Sequence, residues 1–393
     1  MSNHRVPKEI SNARREANKI LRRIKAARMN GKKEQARRLT WRYLNSFYAK
    51  LVAQYDAYKP KNRPGLQKII EQAELINMWA KCNEPVRVKG LTKKDGRVRK
   101  ICAFSPRNKA RQILIKNLLE ASGEISPFVY DAKDGGGVNG AAEKIKTLME
   151  EGATHFVVAD IKDCFNSFSA GELYDVLPLP RKVIDTTLVT DDLNLVGKRN
   201  TTPIRVGIRR RLNNNISSLP PRFRPTGLPQ GSVASNLVAT WLIAERLKAM
   251  PHPERIVLFR DDMVIAARGE EDAHAIVCLL ERSFTENPVG RLEFKTLEVC
   301  SVCGDGVYFL GYNIYKHRSH VNILPSLSSI QKMYHKSVWA MAKDLRERNA
   351  APIRLETYLN GWANAFRLSW YAEREAQYRF SKLSKVFAAA QHN

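Results

Sequence analysis

The sequence predicts an α+β fold in which helical segments at both ends flank a middle built of short strands. Three observations support this. Apolar residues recur at helical spacing near the start (Ile20, Leu21, Ile24) and again after residue 326 (Ile330, Met333, Val338, Met341, Leu345). Short apolar segments bracket turn-forming residues from about residue 85 onward. Two apolar runs about a hundred residues apart, His155 to Asp160 and Ile256 to Asp262, each end on aspartate.

With 393 residues, 44% of them hydrophobic, the chain can bury a real core in two or three domains. Lys and Arg outnumber Asp and Glu 66 to 39, a formal charge of +27. Such a field argues against an enzyme of small neutral substrates. It suits a polyphosphate backbone, because each cation placed on a phosphate releases a condensed counter-ion. Six cysteines are dispersed, and only Cys300 and Cys303 are close. One C-x-x-C without a second pair is a weak zinc signal, so reduced packing residues are expected. The N-terminus is polar and basic, and no window approaches eighteen apolar residues. A cytoplasmic protein without a membrane partner is expected.

The first sixty residues carry sixteen Lys or Arg against four acids and read as a basic helical arm, with aromatic residues Trp41, Tyr43, Phe47, Tyr48 and Tyr55 following. Lys59 to Gly65 breaks the pattern as a linker. Val86–Val88 and Val98–Phe104 flank the turn-like Lys93-Lys94-Asp95-Gly96, which predicts a hairpin. A helix with Ile113, Leu114, Leu118 and Leu119 on one face comes next, then a glycine turn at 134–137 and a helix from about Ala141 to Glu150. Residues 197–226 hold eight Lys or Arg, no acid and the run Arg209-Arg210-Arg211, the pattern of an exposed basic loop. Helical periodicity returns at about 326.

A carboxylate at the end of an apolar strand is costly unless it is paired or holds a metal. Asp160 closes one such run; Asp261 and Asp262 occupy the turn between Ile256–Phe259 and Met263–Ala267. If the two runs are neighbouring strands, three carboxylates meet at one sheet edge, as two-metal phosphoryl transfer requires. Between them lies Thr226-Gly227-Leu228-Pro229-Gln230-Gly231-Ser232, whose glycines allow close approach of a bulky partner and which leads into an apolar helix.

In this order the residues resemble the reverse transcriptases. That family's palm carries an Asp with an aromatic residue five positions on, a G-L-P-Q-G-S segment, an x-x-D-D hairpin, a Lys and an F-L-G. Here these are Asp160 with Phe165, Gly227–Ser232, Phe259-Arg260-Asp261-Asp262, Lys295 and Phe309-Leu310-Gly311, five ordered motifs over about 150 residues. Tyr358 to Asn364 is similar to a thumb segment of group II intron relatives.

The resemblance implies a right-hand polymerase: a basic helical extension over 1–64, fingers over 65–155, a palm with an antiparallel sheet over 156–325, and a helical thumb over 326–393. It implies RNA-directed DNA synthesis from dNTPs. Asp160, Asp261 and Asp262 would bind two Mg²⁺ ions, with Mn²⁺ as an alternative. Lys93, Lys94, Arg99, Phe165, Gln230 and Lys295 would meet the nucleotide, Phe165 as the gate against a ribose 2′-hydroxyl. Phe259, Arg260, Gly231, Phe309, Leu310 and Gly311 would contact primer or template. A structured non-coding RNA would be held by Arg14, Arg15, Arg22, Arg23, Arg209, Arg210 and Arg211 and by the thumb.

Two departures mark a divergent branch. Phe259-Arg260 replaces the usual Tyr with a small or medium residue, and Ser235-Asn236 replaces Ser-Pro. Arg260 could hold a priming group, tighten template choice or pair with Asp163. The chain ends at Asn393 soon after the thumb-like helices, so no RNase H, integrase or endonuclease domain is expected. A palm of this size resembles bacterial retron enzymes and those of phage-defence systems. Template-independent or protein-primed synthesis by the same site, and an RNA-binding splicing cofactor, are the competing readings.

Overall fold

The structure, a computed structural model, describes residues 6–92, 98–122, 126–131, 135–190, 193–197, 226–286 and 292–391. In chain order its elements are α1 (Lys8–Met29), α2 (Lys33–Asn45), α3 (Phe47–Asp56), α4 (Leu66–Glu74), β1 (Val86–Thr92), β2 (Val98–Ala103), α5 (Pro106–Ala121), α6 (Gly137–Glu150) and β3 (His155–Ile161). Then come α7 (Cys164–Ser167), α8 (Ala170–Val176), α9 (Arg181–Thr187), β4 (Leu195–Gly197), α10 (Ser235–Leu247), β5 (Ile256–Phe259), β6 (Asp262–Ala267) and α11 (Glu270–Thr285). The last are β7 (Phe294–Ser301), β8 (Val307–Phe309), β9 (Tyr312–His317), β10 (His320–Pro325), α12 (Leu327–Arg346), α13 (Ile353–Ala365) and α14 (Trp370–Gln391). Packing divides the chain into a unit of Met1–Ile125, Asp163–Glu245 and Asn287–Leu292 and a unit of Ser126–Lys162, Arg246–Glu286 and Glu293–Asn393.

In the first unit, α1 packs on α2 and α3 through Ile10, Ala13, Ala17, Ile24 and Ala27. The alanines let the helix axes approach while the arginines stay in water. The predicted break at 59–65 is present, with one 3₁₀ turn at Pro60–Asn62. Its Arg63 guanidinium stacks 3.7 Å from the Tyr55 ring centroid and donates to the Tyr55 hydroxyl at 2.8 Å. Residues on both sides of the break share a core: Ile10, Leu51, Val52 and Tyr55 with Ile69 and Ala73. The hairpin forms as expected, with Thr92 opposite Val98 and Val88 opposite Cys102. Unanticipated was β4, which adds to β1 in parallel with Val86 opposite Leu195. Ser105 caps α5 and Pro106 opens it, a pairing that suits a helix start.

The second unit is built on an antiparallel sheet of order β5-β6-β3-β7. Its central strands are apolar on both sides, so both faces must be covered. Phe156, Val257, Val264 and Ala266 join Ala141, Ala142, Ile145 and Met149 of α6 in one core. The alternate residues Val157, Ala159, Met263 and Ile265 are also buried, and α11 packs on β3, β6 and β7. A second sheet, β10-β9-β8, is paired from Tyr312–Pro325 to His317–His320. It leads to α12, α13 and α14, whose shared core includes Met333, Met341, Leu355, Leu359, Trp362 and Phe387.

Of the inner face expected for α12, Met333 and Met341 are buried and Ile330 and Leu345 pack against that core, but Val338 is exposed. Five residues past Met333 it has rotated off the face, and Ser337 is buried instead. Of the cysteines, Cys102 and Cys164 are buried packing residues, whereas Cys278 and Cys303 are exposed. Among the described residues no helix is long and apolar enough to cross a membrane.

The fully buried Asp344 carboxylate joins the end of α12 to the start of α13. It accepts from the Arg354 and Leu355 backbone N–H groups at 3.0 and 3.1 Å and from Asn349 Nδ2 at 2.7 Å. Removing it strips a helix cap and leaves buried donors unmade. Asp344→Ala is therefore expected to lower stability by about 2 kcal/mol in denaturant melts. A loss below about 0.5 kcal/mol would contradict this role of the carboxylate.

Candidate active site

The sheet register decides where the acids sit. β3 pairs with β6 so that Phe156 faces Ala266, Val158 faces Val264 and Asp160 faces Asp262. Because side chains alternate, the two carboxylates share one face with those apolar pairs and stand at its end. Phe259 is opposite Asp262 on the other side, which leaves Arg260 and Asp261 as a two-residue turn. Arg260 has φ of 61°. The first central position of such a hairpin, when φ is positive, is one that glycine usually fills. A long side chain held there stores backbone strain of about 1–3 kcal/mol. Its guanidinium lies 5.4 Å from the Phe259 ring centroid.

Lys295 comes from the neighbouring strand β7. There Asp160 is opposite Thr296, but Ile161 is opposite Phe294, so Lys295 is the extra residue of a bulge. A bulge re-aims a side chain, and the Lys295 ammonium lies 2.5 Å from Asp160 Oδ2. Burial pushes the Asp262 carboxyl up to about 6; Asp261 and Asp160 push the same way, and Lys295 and Arg260 only partly oppose them. The acids are thus a coupled cluster with an excess of negative charge.

Oxygen-only donors of this kind fit a hard divalent cation. As the side chains stand, no three acidic, histidine or cysteine groups among the described residues are placed to hold one. The Lys295 ammonium occupies Oδ2 of Asp160, one of the oxygens such a cation would take.

The Gly227–Ser232 segment lies in the first unit, where its close packing explains its composition. The Gln230 carbonyl accepts from Cys102 N–H at 2.7 Å, and Leu228 N–H donates to the Phe165 carbonyl at 2.8 Å. Gly227 and Gly231 both have positive φ, and a Cβ on either would lie 2.3 Å from the Phe165 carbonyl oxygen or 2.4 Å from that of Cys102. Arg99 Nε donates to Gln230 Oε1 at 2.7 Å, so two expected nucleotide contacts are brought together. Phe165 is 9% exposed. Val233 N–H is held by the buried Gln112 side chain at 3.1 Å; that residue was missed, because one glutamine on a helix face carries no sequence signal.

Phe309-Leu310-Gly311 forms the turn from β8 to β9. Phe309 is buried in the α6 core, while Leu310 and Gly311 have φ of 50° and 89°. The Gly311 carbonyl accepts from Ser326 N–H at 2.7 Å and from Ser329 Oγ at 3.0 Å, which clasps the start of α12. Tyr312 continues the link: its hydroxyl bonds the Asn139 amide at 2.6 Å and donates to the Ala365 carbonyl at 3.1 Å. Of the arginines expected to bind RNA, Arg14 pairs with Asp56 at 2.7 Å and Arg15 donates to Asn12 at 3.0 Å. Arg22 and Arg23 are exposed on different faces of α1. Lys93, Lys94 and Arg209 to Arg211 lie outside the described residues.

Residues 91–314, more than half of the chain, match the family model for reverse transcriptase (RNA-dependent DNA polymerase). The chain belongs to the reverse transcriptase family. All five motifs named above fall within that span, and the α+β fold with its antiparallel palm sheet and helical thumb is that of the family's polymerases. A comparison with curated proteins finds no match. Among solved structures the chain is similar to telomerase from Candida albicans, solved in complex with a TWJ fragment of telomeric RNA, at 10% identity and a TM-score of 0.44. That alignment covers 78% of this chain and 56% of the telomerase chain.

The raised Asp262 carboxyl has a consequence for stability without metal. Its pKa is 3.8 ordinarily and about 6 in the fold. The folded state therefore holds the proton more tightly, and the stability this contributes is present below pH 3.8 and lost as pH rises through about 6. Asp262→Asn is expected to melt a few degrees above the wild type in EDTA at pH about 8, with the gain vanishing near pH 4. A pH-independent difference would rule out the coupled cluster.

Proposed function

We propose that the chain is an RNA-directed DNA polymerase that extends a primer with deoxynucleoside triphosphates. The observation that carries the reading is Asp160 opposite Asp262, with Asp261 in the adjoining turn, in a chain of this family. Asp160, Asp261 and Asp262 would hold two Mg²⁺ ions, or Mn²⁺ in their place. When bound, these supply activation of the primer 3′-hydroxyl and stabilisation of the pyrophosphate leaving group.

Lys295, released from Asp160, is then a mobile cation for the leaving phosphates. Arg99, exchanging Gln230 for a triphosphate oxygen, neutralises charge, as would Lys93 and Lys94. Gln230 and Gly231 offer a tightly held surface to the base pair. Primer contact from the F-L-G turn runs through the backbone of Leu310 and Gly311, because Phe309 is buried. Phe259 and Arg260 face the primer or template end. Phe165 excludes the 2′-hydroxyl.

Purified protein with a primed RNA template, dNTPs and Mg²⁺ is expected to incorporate label. Asp261→Ala with Asp262→Ala should reduce incorporation at least about a thousandfold; undiminished incorporation would end this assignment. Phe165→Ala is expected to raise the use of ribonucleotides about tenfold relative to dNTPs, read from competition between ATP and dATP. An unchanged ratio would return Phe165 to a packing role.

The narrower part of the proposal is a dedicated structured non-coding RNA as template, in a bacterial retron or antiviral defence system in the cytoplasm. The charge of +27 supports a polyanionic partner. Sequencing the RNA and DNA that co-purify tests it: DNA complementary to one bound RNA is expected. Homopolymer or random product would instead assign template-independent synthesis to the same carboxylates.

A further inference from the structure

Beside α1 the first unit has a cavity of about 460 Å³, bounded by α1, α2 and the first turn of α3. Its aromatic lining is in water: Trp41 is 59% exposed, Phe47 40% and Tyr48 51%. This is not a failure to find a core, because Tyr43 and Leu44 of the same helix are fully buried. Contiguous exposed aromatic surface of this kind marks a binding face. The rim is cationic. Lys19, Arg23 and Arg42 line the cavity with a single acid, Glu16, which is held by Lys19 at 2.8 Å. Three cations less one acid leaves +2, carried by the two arginines.

The backbone that carries the platform is tied down. The Trp41 carbonyl accepts from Asn45 Nδ2 at 2.8 Å, and Asn45 Oδ1 accepts from Trp79 Nε1 at 3.1 Å. Phe47 and Tyr48 meet edge to face, with centroids 6.2 Å apart. Aromatic faces interleaved with arginines suit bases that are not already stacked in a helix, with the cations on the intervening phosphates. A duplex hides its base faces and offers only the phosphates.

We infer that this cavity binds an unpaired, single-stranded stretch of RNA, with bases on Trp41 and on the Phe47–Tyr48 pair and phosphates on Arg23 and Arg42. The choice of RNA over DNA rests on the proposed function; the recognition itself requires neither metal nor polymerisation.

The test uses the full chain without metal or dNTPs. A fluorescein-labelled oligoadenylate, the same sequence as DNA, and an RNA duplex of equal length are titrated by anisotropy, and a 4-thiouridine oligonucleotide is photocrosslinked and mapped. Crosslinks are expected on the peptide spanning 41–48. Trp41→Ala should weaken the single-stranded RNA about tenfold and leave the duplex unchanged, while Trp41→Phe keeps most of the affinity. Arg23→Gln and Arg42→Gln should each lower the slope of log affinity against log salt by about one.

Crosslinks confined to other segments, or equal losses for single strand and duplex in Trp41→Ala, would overturn the inference. Tighter binding of the DNA oligonucleotide would remove RNA as the ligand. An inactive polymerase that still shows these losses would count against the proposed function alone.

Discussion

The register between β3 and β6 is the constraint on which the carboxylate face depends. Side chains alternate with a period of two, so a slip of one residue would send Asp160 to the α11 side and leave Asp262 on the α6 side. What prevents the slip is remote from the acids. Phe156 and Ala266, Val158 and Val264 are committed to the α6 core, and Ala159 and Met263 to the opposite face. The apolar strands are thus a ruler that sets carboxylate against carboxylate. The same ruler explains why the acids can be so unfavourable to one another: the energy that holds them together is gained along the strand, where nothing is charged.

The acids and the core they depend on were legible in the sequence because each leaves a local mark. Continuous apolar runs ending on Asp160 and Asp261 announce buried strands; the glycines at 227 and 231 read as room for a bulky partner, whereas they pack against the chain's own Phe165 and Cys102 carbonyls. What was not legible depends on pairing between distant segments. The bulge at Lys295 exists only relative to Asp160 and Ile161, so nothing in the run Glu293 to Thr296 reveals it. Strand β4 has three residues and becomes a strand only by lying beside β1. Val338 shows the converse error: an apolar residue near the right spacing was assigned inward, although helix rotation turns it out and buries Ser337. The break at Pro60 was read correctly as local geometry, but the shared core of Tyr55 and Ile69 across it could not be foreseen from the break alone.

Electrostatics shapes the chain at two scales. Globally the positive excess draws polyanions from any direction and is screened by salt. Locally the field reverses: around Asp262 the acids outweigh Lys295 and Arg260. For the proposed polymerase, a nucleic acid attracted by the surface would meet repulsion at the proposed reacting site. An anionic centre in a cationic chain is an arrangement in which the chain's overall charge favours encounter with a polyanion and the local charge opposes close approach. Arg260 sits where these fields meet, held in a backbone conformation that would suit glycine better.

The clasp between Gly311 and the serines of α12 also bears on motion. Two hydrogen bonds to one carbonyl fix the base of a helix of 20 residues, and its far end is free of that clasp. At 1.5 Å per residue the helix is about 30 Å long, so a rotation of about 10° at the serines moves its far end by roughly 5 Å. The turn is the short end of a long arm: a small rotation at Gly311 would become a displacement of several ångströms near Arg346, where Asp344 ties the helix to α13.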